Sequence, residues 1–192
     1  MEKNNVFKWK HYQPDIILLT VRWYLRYNVS LCDLVEMMQE RGLSIAHTTI
    51  MRWVHQYGPE LNGRIRKHLK PTNDSWRVDE TYLKIKGENM YLYRAIDSKG
   101  NTIDFYLSRK RHDKKPCIIT VDGDKAYLFA IQELKDEKRI WNMLGLKSLR
   151  TATKMIAGIE AMHMIKKGQL KLREQSVKNQ NRCIQHLFGL TA

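Results

Sequence analysis

At 192 residues with 43% apolar side chains, the chain can hold one mid-sized domain and a small one around packed cores. It has no run of about eighteen apolar residues, which excludes a helical membrane span of ordinary length. The formal charge of +14 is uneven: residues 1–73 carry 11 Lys and Arg against 6 Asp and Glu, residues 74–137 carry 12 of each, and residues 138–192 carry 11 against 2.

In chain order, Ile17, Leu18, Val21, Tyr24 and Leu25 form a helical stripe and predict a first helix over 15–26. Ser30 followed by Asp33 is a capping-box start for a second helix carrying Leu31, Leu34, Val35 and Met38. Gly42 stands where a C-cap glycine is expected. A third helix, roughly 46–57, puts Ile50, Val54 and Tyr57 on one face. Helix, glycine-containing turn, helix is the helix-turn-helix pattern. The other face of the third helix carries His47, Thr48, Thr49, Arg52, His55 and Gln56, donor-rich side chains of the kind that reach phosphates and base edges. An ordinary three-helix bundle with a solvated polar face carries the same pattern. Pro59 and the basic RIRKHLKPTND then predict a helix extension and a linker.

From Trp76 the texture changes to strand. WRVDETYLKIK, a turn at GEN, MYLYRAID, a turn at SKGN and TIDFYLS read as a β-meander with hairpin-length loops. CIITV, residues 117–121, is a short continuous apolar run suited to a strand buried on both faces. Residues 125–138 read as a helix, and residues 148–166 as a stronger one on Leu149, Ala152, Ile156, Ile159 and Met162. Ser176 predicts the cap of a last helix with Val177, Ile184, Leu187 and Phe188. The three cysteines, Cys32, Cys117 and Cys183, are scattered without a CxxC pair, which argues against a disulfide framework or a zinc knuckle; buried small hydrophobes are expected.

The basic front and tail fit a polyanionic partner, because neutralising phosphates drives non-specific nucleic-acid binding. Ribosomal and membrane-surface proteins share such charge, but a pure binder has little use for a carboxylate-rich middle. Two acids stand out there. Asp79 lies within the first strand between Val78 and Glu80, and Asp122 ends the buried CIITV strand. A carboxylate at the end of a buried strand is costly unless it faces a cleft or a cation. If the first and fourth strands are neighbours, the two aspartates share a divalent ion, and two-metal sites activate water or hydroxyl groups against phosphodiesters. Alone, Asp79 also reads as an exposed strand residue, and Asp122 as an Asx-turn residue in Asp122-Gly123-Asp124.

The run WRVDETYLKIKGE, then YLYRAIDSKGNTIDFYLSRKRH, ITVD, MLGLKS, TATK and GIEAMHMIKKGQ resembles the DDE transposases of the IS-six insertion-sequence family. The resemblance implies an α/β fold, with an N-terminal helix-turn-helix, an RNase H-like catalytic domain of mixed β-sheet and helices, and C-terminal helices. It assigns residues 1–13 to a tail, 14–70 to the DNA-binding domain, 74–167 to the catalytic domain and 168–192 to a basic helical tail. It implies Mg²⁺ (or Mn²⁺) as cofactor, Asp79 and Asp122 as catalytic metal ligands, and recognition of element ends before strand cleavage and transfer. The partners it implies are double-stranded DNA, as terminal inverted repeats and target DNA, and a second copy of the chain as a homodimer. Asp124 is a minor competitor for the second position.

Two pieces of the family pattern have no counterpart. Members carry an amphipathic helix before the CIITV strand, where this chain has only RKRHDKK; seven or eight extended residues reach at most about 25 Å. After KDEKRI members continue through a strand and a helix supplying the third carboxylate, whereas here Trp141-Asn142 runs into MLGLKS. The catalytic domain is therefore expected to be incomplete. Glu160 is a weak substitute because GIEAMHMI matches the family's own downstream helix, and Glu133 and Glu137 suit solvated or lysine-paired positions.

Weak metal binding and little strand transfer are expected of two carboxylates. An impaired transposase and a non-catalytic binder at terminal repeats are the two main readings; a helix-turn-helix regulator is the weakest, since regulators seldom carry this aspartate-bearing meander. MEKNNVFKWKHYQPD has no secretion-signal pattern, so a bacterial cytoplasmic location, nucleoid-associated when bound, is expected.

Overall fold

The computed structural model describes residues 6–8, 10–27, 29–73, 75–111, 141–142, 148–172 and 174–190. They fall into two units, Met1–Lys70 with Lys154–Ala192, and Pro71–Thr153. The fold is mixed α/β, with five helices and an antiparallel sheet among the described residues.

The first unit begins with helix α1, Pro14–Arg26, which has proline in its first turn, where the missing N–H costs nothing. Its predicted stripe is buried at Ile17, Leu18, Val21 and Leu25, and Thr20 and Arg22 are buried with it. Helix α2, Leu31–Gln39, starts on a complete capping box: Asp33 N–H donates to Ser30 Oγ at 3.1 Å, and Ser30 N–H donates to Asp33 Oδ2 at 2.7 Å. Leu34 and Met38 are its buried anchors. Gly42, at φ +72°, makes the left-handed exit expected of a C-cap glycine.

Helix α3, His47–Ile65, is longer than the predicted 46–57 and carries Pro59 in its interior. Proline removes one ladder hydrogen bond. Burial of Trp53, Val54, Tyr57, Leu61 and Ile65 along the inner face keeps the helix continuous across it. Helix α4, Leu149–Lys166, is buried at Ala152, Met155, Ile156, Ala157, Ala161, Met162, Met164 and Ile165. From Lys154 onward α4 packs with the helices of the first unit, so the stretch expected as catalytic domain at 74–167 contributes to both units. The small-residue edge at Ala157 and Ala161, a candidate dimer surface in the sequence, is 6% and 0% exposed within the single chain.

A close backbone approach in this unit joins α3 to α4. A Cβ built on Gly58 would stand 3.2 Å from the Gly158 Cα, and one on Gly158 would stand 3.0 Å from the Gly58 Cα and 2.7 Å from Leu25 Cδ1. Only glycine on both sides permits this crossing. Helix α5, Val177–Leu187, opens on Ser176, whose Oγ accepts from Asn179 N–H at 3.2 Å. Phe188, just beyond it, joins Tyr57 and Phe7 in an aromatic cluster with centroids 5.1–6.0 Å apart. Arg64 ties α3 to this end, donating to the Leu187 carbonyl at 2.5 Å and standing 4.9 Å from the Phe188 ring. Val177, predicted as an apolar anchor, is instead 52% exposed. Cys32 is exposed rather than buried, and Cys183 is half-buried.

The second unit is the predicted meander. Strands β1 (Trp76–Ile85), β2 (Glu88–Asp97) and β3 (Thr102–Ser108) pair antiparallel, and β4 (Trp141–Asn142) lies parallel to β1 beside Leu83 and Lys84, giving the order β3-β2-β1-β4. The first turn falls at Lys86-Gly87 rather than GEN, with both residues at positive φ (53° and 82°). A two-residue hairpin of this kind needs that conformation twice, because its twist must match the strands. Asp97 closes the second turn, accepting from Lys99 N–H and Asn101 N–H and, through its other oxygen, from Asn101 Nδ2. Trp76, Val78, Tyr93 and Ala95 form the core cluster on one sheet face. CIITV and the helix expected at 125–138 lie outside the described residues.

Candidate functional site

The sequence proposed a polar face on α3 and a pair of aspartates on the sheet. On α3, Thr48, Arg52 and Gln56 follow one another at four-residue spacing and are all exposed, with exposed His47 at the helix start. Thr49 is half-buried, and its Oγ1 accepts from Arg52 Nη2 at 3.4 Å. Gln56 Oε1 accepts from Lys10 Nζ at 3.2 Å, which adds a second cation to the stripe. No acid occupies the first turn of α3, so the stripe is a run of donors beside the positive end of a helix.

His55 departs from this set. It is half-buried, and its Nε2 is sealed from solvent without a hydrogen-bond partner. Burial, aided by the neighbouring Lys154 charge, pushes its pKa below the ordinary 6.5. A neutral imidazole turned inward offers that nitrogen to no ligand.

On the sheet, Asp79 sits on the face opposite the core cluster, paired in register with Arg94 on β2. Its Oδ1 lies 3.4 Å from Arg77 Nε, and its side chain is 34% exposed. Glu80, the next residue, points to the other face by strand alternation and is 6% exposed, with Arg111 Nε 3.3 Å from its Oε1. The two neighbouring acids thus have opposite surroundings: one is reachable from solvent, the other is enclosed beside a guanidinium. Asp122, and with it Asp124, Glu133 and Glu137, lies outside the described residues. Among the described residues no three His, Cys, Asp or Glu side chains gather as a metal site. Glu160 belongs to α4 and is 3% exposed.

Two features stand outside the residues singled out in the sequence. Glu80 entered the sequence reading only as a neighbour of Asp79, although strict alternation with Trp76 and Val78 marks it as inward-facing. Arg22 and Arg26, one turn apart near the end of α1, both approach the exposed Tyr27 ring, with guanidinium carbons 5.8 and 5.9 Å from its centroid. The slight burial of Tyr27 raises its phenol pKa, but Arg22 and then Arg26 outweigh it and hold the phenol below 10.0.

Comparison with known proteins bears on these residues directly. A family model described as a DDE domain matches residues 73–142, a span that contains both Asp79 and Asp122. The chain is 40% identical, over 131 residues, to the transposase for insertion sequence-like element IS431mec of Staphylococcus aureus, covering 68% of this chain and 54% of that one. The same identity and coverage relate it to the transposase for insertion sequence element IS257 in transposon Tn4003 of Staphylococcus aureus. An uncharacterized protein of Yersinia pseudotuberculosis is 33% identical over 89 residues, 38% of this chain and 83% of that one. The chain spans about half the length of the transposases it matches. No solved structure matches. Residues 73–142 match the model of a DDE domain, and the chain is similar to insertion-sequence transposases of the IS-six family.

Proposed function

We propose that the chain acts as an insertion-sequence transposase whose helical unit binds element ends, and whose cleavage and strand transfer are impaired. The observation that carries this reading is the conjunction of the exposed Thr48, Arg52 and Gln56 stripe with a DDE domain in the same chain. Thr48, Arg52 and Gln56 donate to phosphate oxygens and base edges of double-stranded DNA, with His47 at the helix start. Arg52 is suited to guanine, whose two acceptors match a guanidinium fork.

The reachable carboxylate of Asp79 is a hard oxygen donor and fits Mg²⁺ (or Mn²⁺), with Asp122 as the second ligand. When bound, such an ion activates an attacking water or hydroxyl group and stabilises the leaving oxygen of a phosphodiester. Arg77 competes weakly for Asp79, since exposed ion pairs contribute about 0–1 kcal/mol. The family's third carboxylate has no counterpart in the sequence around Trp141-Asn142, so fewer charged oxygens are available to fix the ions. A bacterial cytoplasmic location follows from this role, and among the described residues no helix is long and apolar enough to cross a membrane.

A gel shift on duplexes carrying the element's terminal repeats, run beside a Mg²⁺-dependent cleavage assay, tests both halves. Binding with only weak Mg²⁺-dependent cleavage is expected, with Arg52→Ala weakening binding by about 1–3 kcal/mol. Efficient joining of ends to target DNA that vanishes in Asp79→Ala would sink the impairment; equal affinity in Arg52→Ala would remove α3 from the reader's role. The alternative, a non-catalytic remnant that occupies repeats and blocks intact copies, predicts binding with no trace of cleavage in either Mg²⁺ or Mn²⁺.

A further inference from the structure

In the helical unit the C-terminal ends of α3 and α4 meet. Helix α3 runs into a 3-10 turn, Arg66–His68. Helix α4 closes on Gly168, whose N–H donates to the Ile165 carbonyl at 3.1 Å while Gln169 N–H donates to the Met164 carbonyl at 3.1 Å. This pair of bonds, with glycine at φ +72°, is a Schellman exit that turns the chain back across the helix end. The returning segment pairs antiparallel with the stretch after α3. Leu69 stands opposite Leu170, Lys70 N–H donates to the Gln169 carbonyl at 2.8 Å, and Lys171 N–H donates to the His68 carbonyl at 3.1 Å. Lys70 Nζ adds a bond to the Gly168 carbonyl at 2.9 Å. Two stretches remote in sequence are thereby joined into one basic seam. It exposes Arg66, Lys67 and Lys70 from the first stretch and Lys166, Lys167 and Lys171 from the second. Residues 61–73 and 161–173 contain no Asp or Glu. Cations gather at helix C-termini because each such end carries a negative partial charge of about half an elementary charge. Two ends amount to about one charge, so dipole compensation accounts for a small part of this set of cations.

We infer that this seam is a sequence-independent track for the phosphate backbone of double-stranded DNA, separate from the donor stripe on α3. The inference rests on the DNA-binding reading of the helical unit. The seam lies at the far end of α3 from His47, about 28 Å along a helix of 19 residues. Its cations are mostly lysines, compact charges on flexible stems that bind phosphates without reading bases. Each phosphate neutralised releases condensed counterions, so like charges that repel one another in the free protein become favourable on a duplex. Backbone pairing holds the two rows side by side, and the side chains alone adapt to the phosphates. A membrane-surface element inserts a broad apolar face beside its bases. The seam has no such face: Leu170 is buried and Leu69 half-buried. The seam then supplies affinity common to all sequences, and α3 supplies discrimination.

The test measures affinity of the full chain for a mixed-sequence duplex and a terminal-repeat duplex over a salt series, with circular dichroism confirming unchanged helix content in each variant. In the double variant Lys67→Gln with Lys171→Gln, the slope of log affinity against log salt should shrink by about 1.8, two phosphate contacts, equally for both duplexes. The ratio of the two affinities should stay fixed. Lys67→Arg with Lys171→Arg should keep the wild-type slope. Lys178→Gln with Arg182→Gln, which neutralises two exposed bases on α5, should leave the slope unchanged. A slope unaltered in the seam variant, or one that falls equally in the α5 variant, overturns the seam and leaves the α3 reading to be judged by Arg52→Ala. A wild-type protein that binds neither duplex overturns both. Vesicles containing anionic phospholipid provide a further arm: if they capture wild type but not the seam variant, while the DNA slope is the same in both, the surface takes a membrane and the DNA track is wrong.

Discussion

Ser30 and Asp33 satisfy one another within a single turn of chain, whereas Asp79 faces Arg94 across a hairpin and needs a partner acid from beyond β3. The helical unit is specified largely by such short-range contacts: caps, a glycine exit and apolar stripes. The sheet unit is specified by pairings between whole strands, and the second carboxylate proposed for its chemistry, Asp122, stands 43 residues after Asp79 in sequence (122 minus 79). Local contacts survive changes elsewhere in the chain, because little loop entropy is spent to form them. A long-range carboxylate pair, as proposed for this chain, would have no such protection, so shortening the sheet unit would cost that pair before it cost the caps of the helical unit.

Four substitutions or titrations sharpen this contrast. The largest effect is expected from Trp76→Ala in the sheet, which empties the core cluster with Val78, Tyr93 and Ala95 and should cost about 3–5 kcal/mol. Hydrogen exchange of the β1 and β2 amides reads it directly; protection retained at the wild-type level would mean that the cluster is not what holds the meander. Next, Gly158→Val places a branched side chain against the Gly58 Cα and Leu25, and should cost about 2–3 kcal/mol in urea unfolding. Should stability be unaltered, α3 and α4 do not depend on the glycine crossing.

Ser30→Ala removes half of the capping box and should cost about 1 kcal/mol, with Asp33→Ala similar and the double substitution less than additive. Strict additivity would show that the two bonds are independent. The smallest effect concerns pH. Because the folded pKa of His55 lies below 6.5, the unfolded chain binds its proton first. The stability from its neutral burial is complete above pH 6.5 and is lost as pH falls through the folded value. An NMR titration should place the His55 midpoint below 6.5; a midpoint at or above it would mean that the imidazole is not enclosed beside Lys154.

Much of the helical unit was legible because each signal is carried by neighbours in sequence. The stripe on α1, the cap at Ser30, the exit at Gly42 and the cap at Ser176 all appear where the pattern put them. An extension after Pro59 was read in the sequence, but the unbroken run of α3 through it was not, since a proline argues locally for a break while Leu61 and Ile65 are recruited by packing. The turn at Lys86-Gly87 was displaced from GEN because strand register decides which two residues take positive φ. For the site, the exposed stripe on α3 was readable from helical spacing, but the partial burial of His55 was not, because burial depends on packing between elements, with Lys154 of a helix far along the chain among its neighbours.

By itself the sequence determined the order of the described elements, the uneven charge, the polar, donor-rich face of α3 and the position of Asp79 on the first strand, because periodicity and capping are properties of adjacent residues. Only the tertiary structure decided that α4 and α5 complete the helical unit, that Gly58 and Gly158 meet, that Glu80 is enclosed while Asp79 is reachable, and that Arg22 is buried. Those outcomes depend on which surfaces are brought together in space, and burial of a charge or the room for a Cβ is fixed by neighbours that no local pattern names.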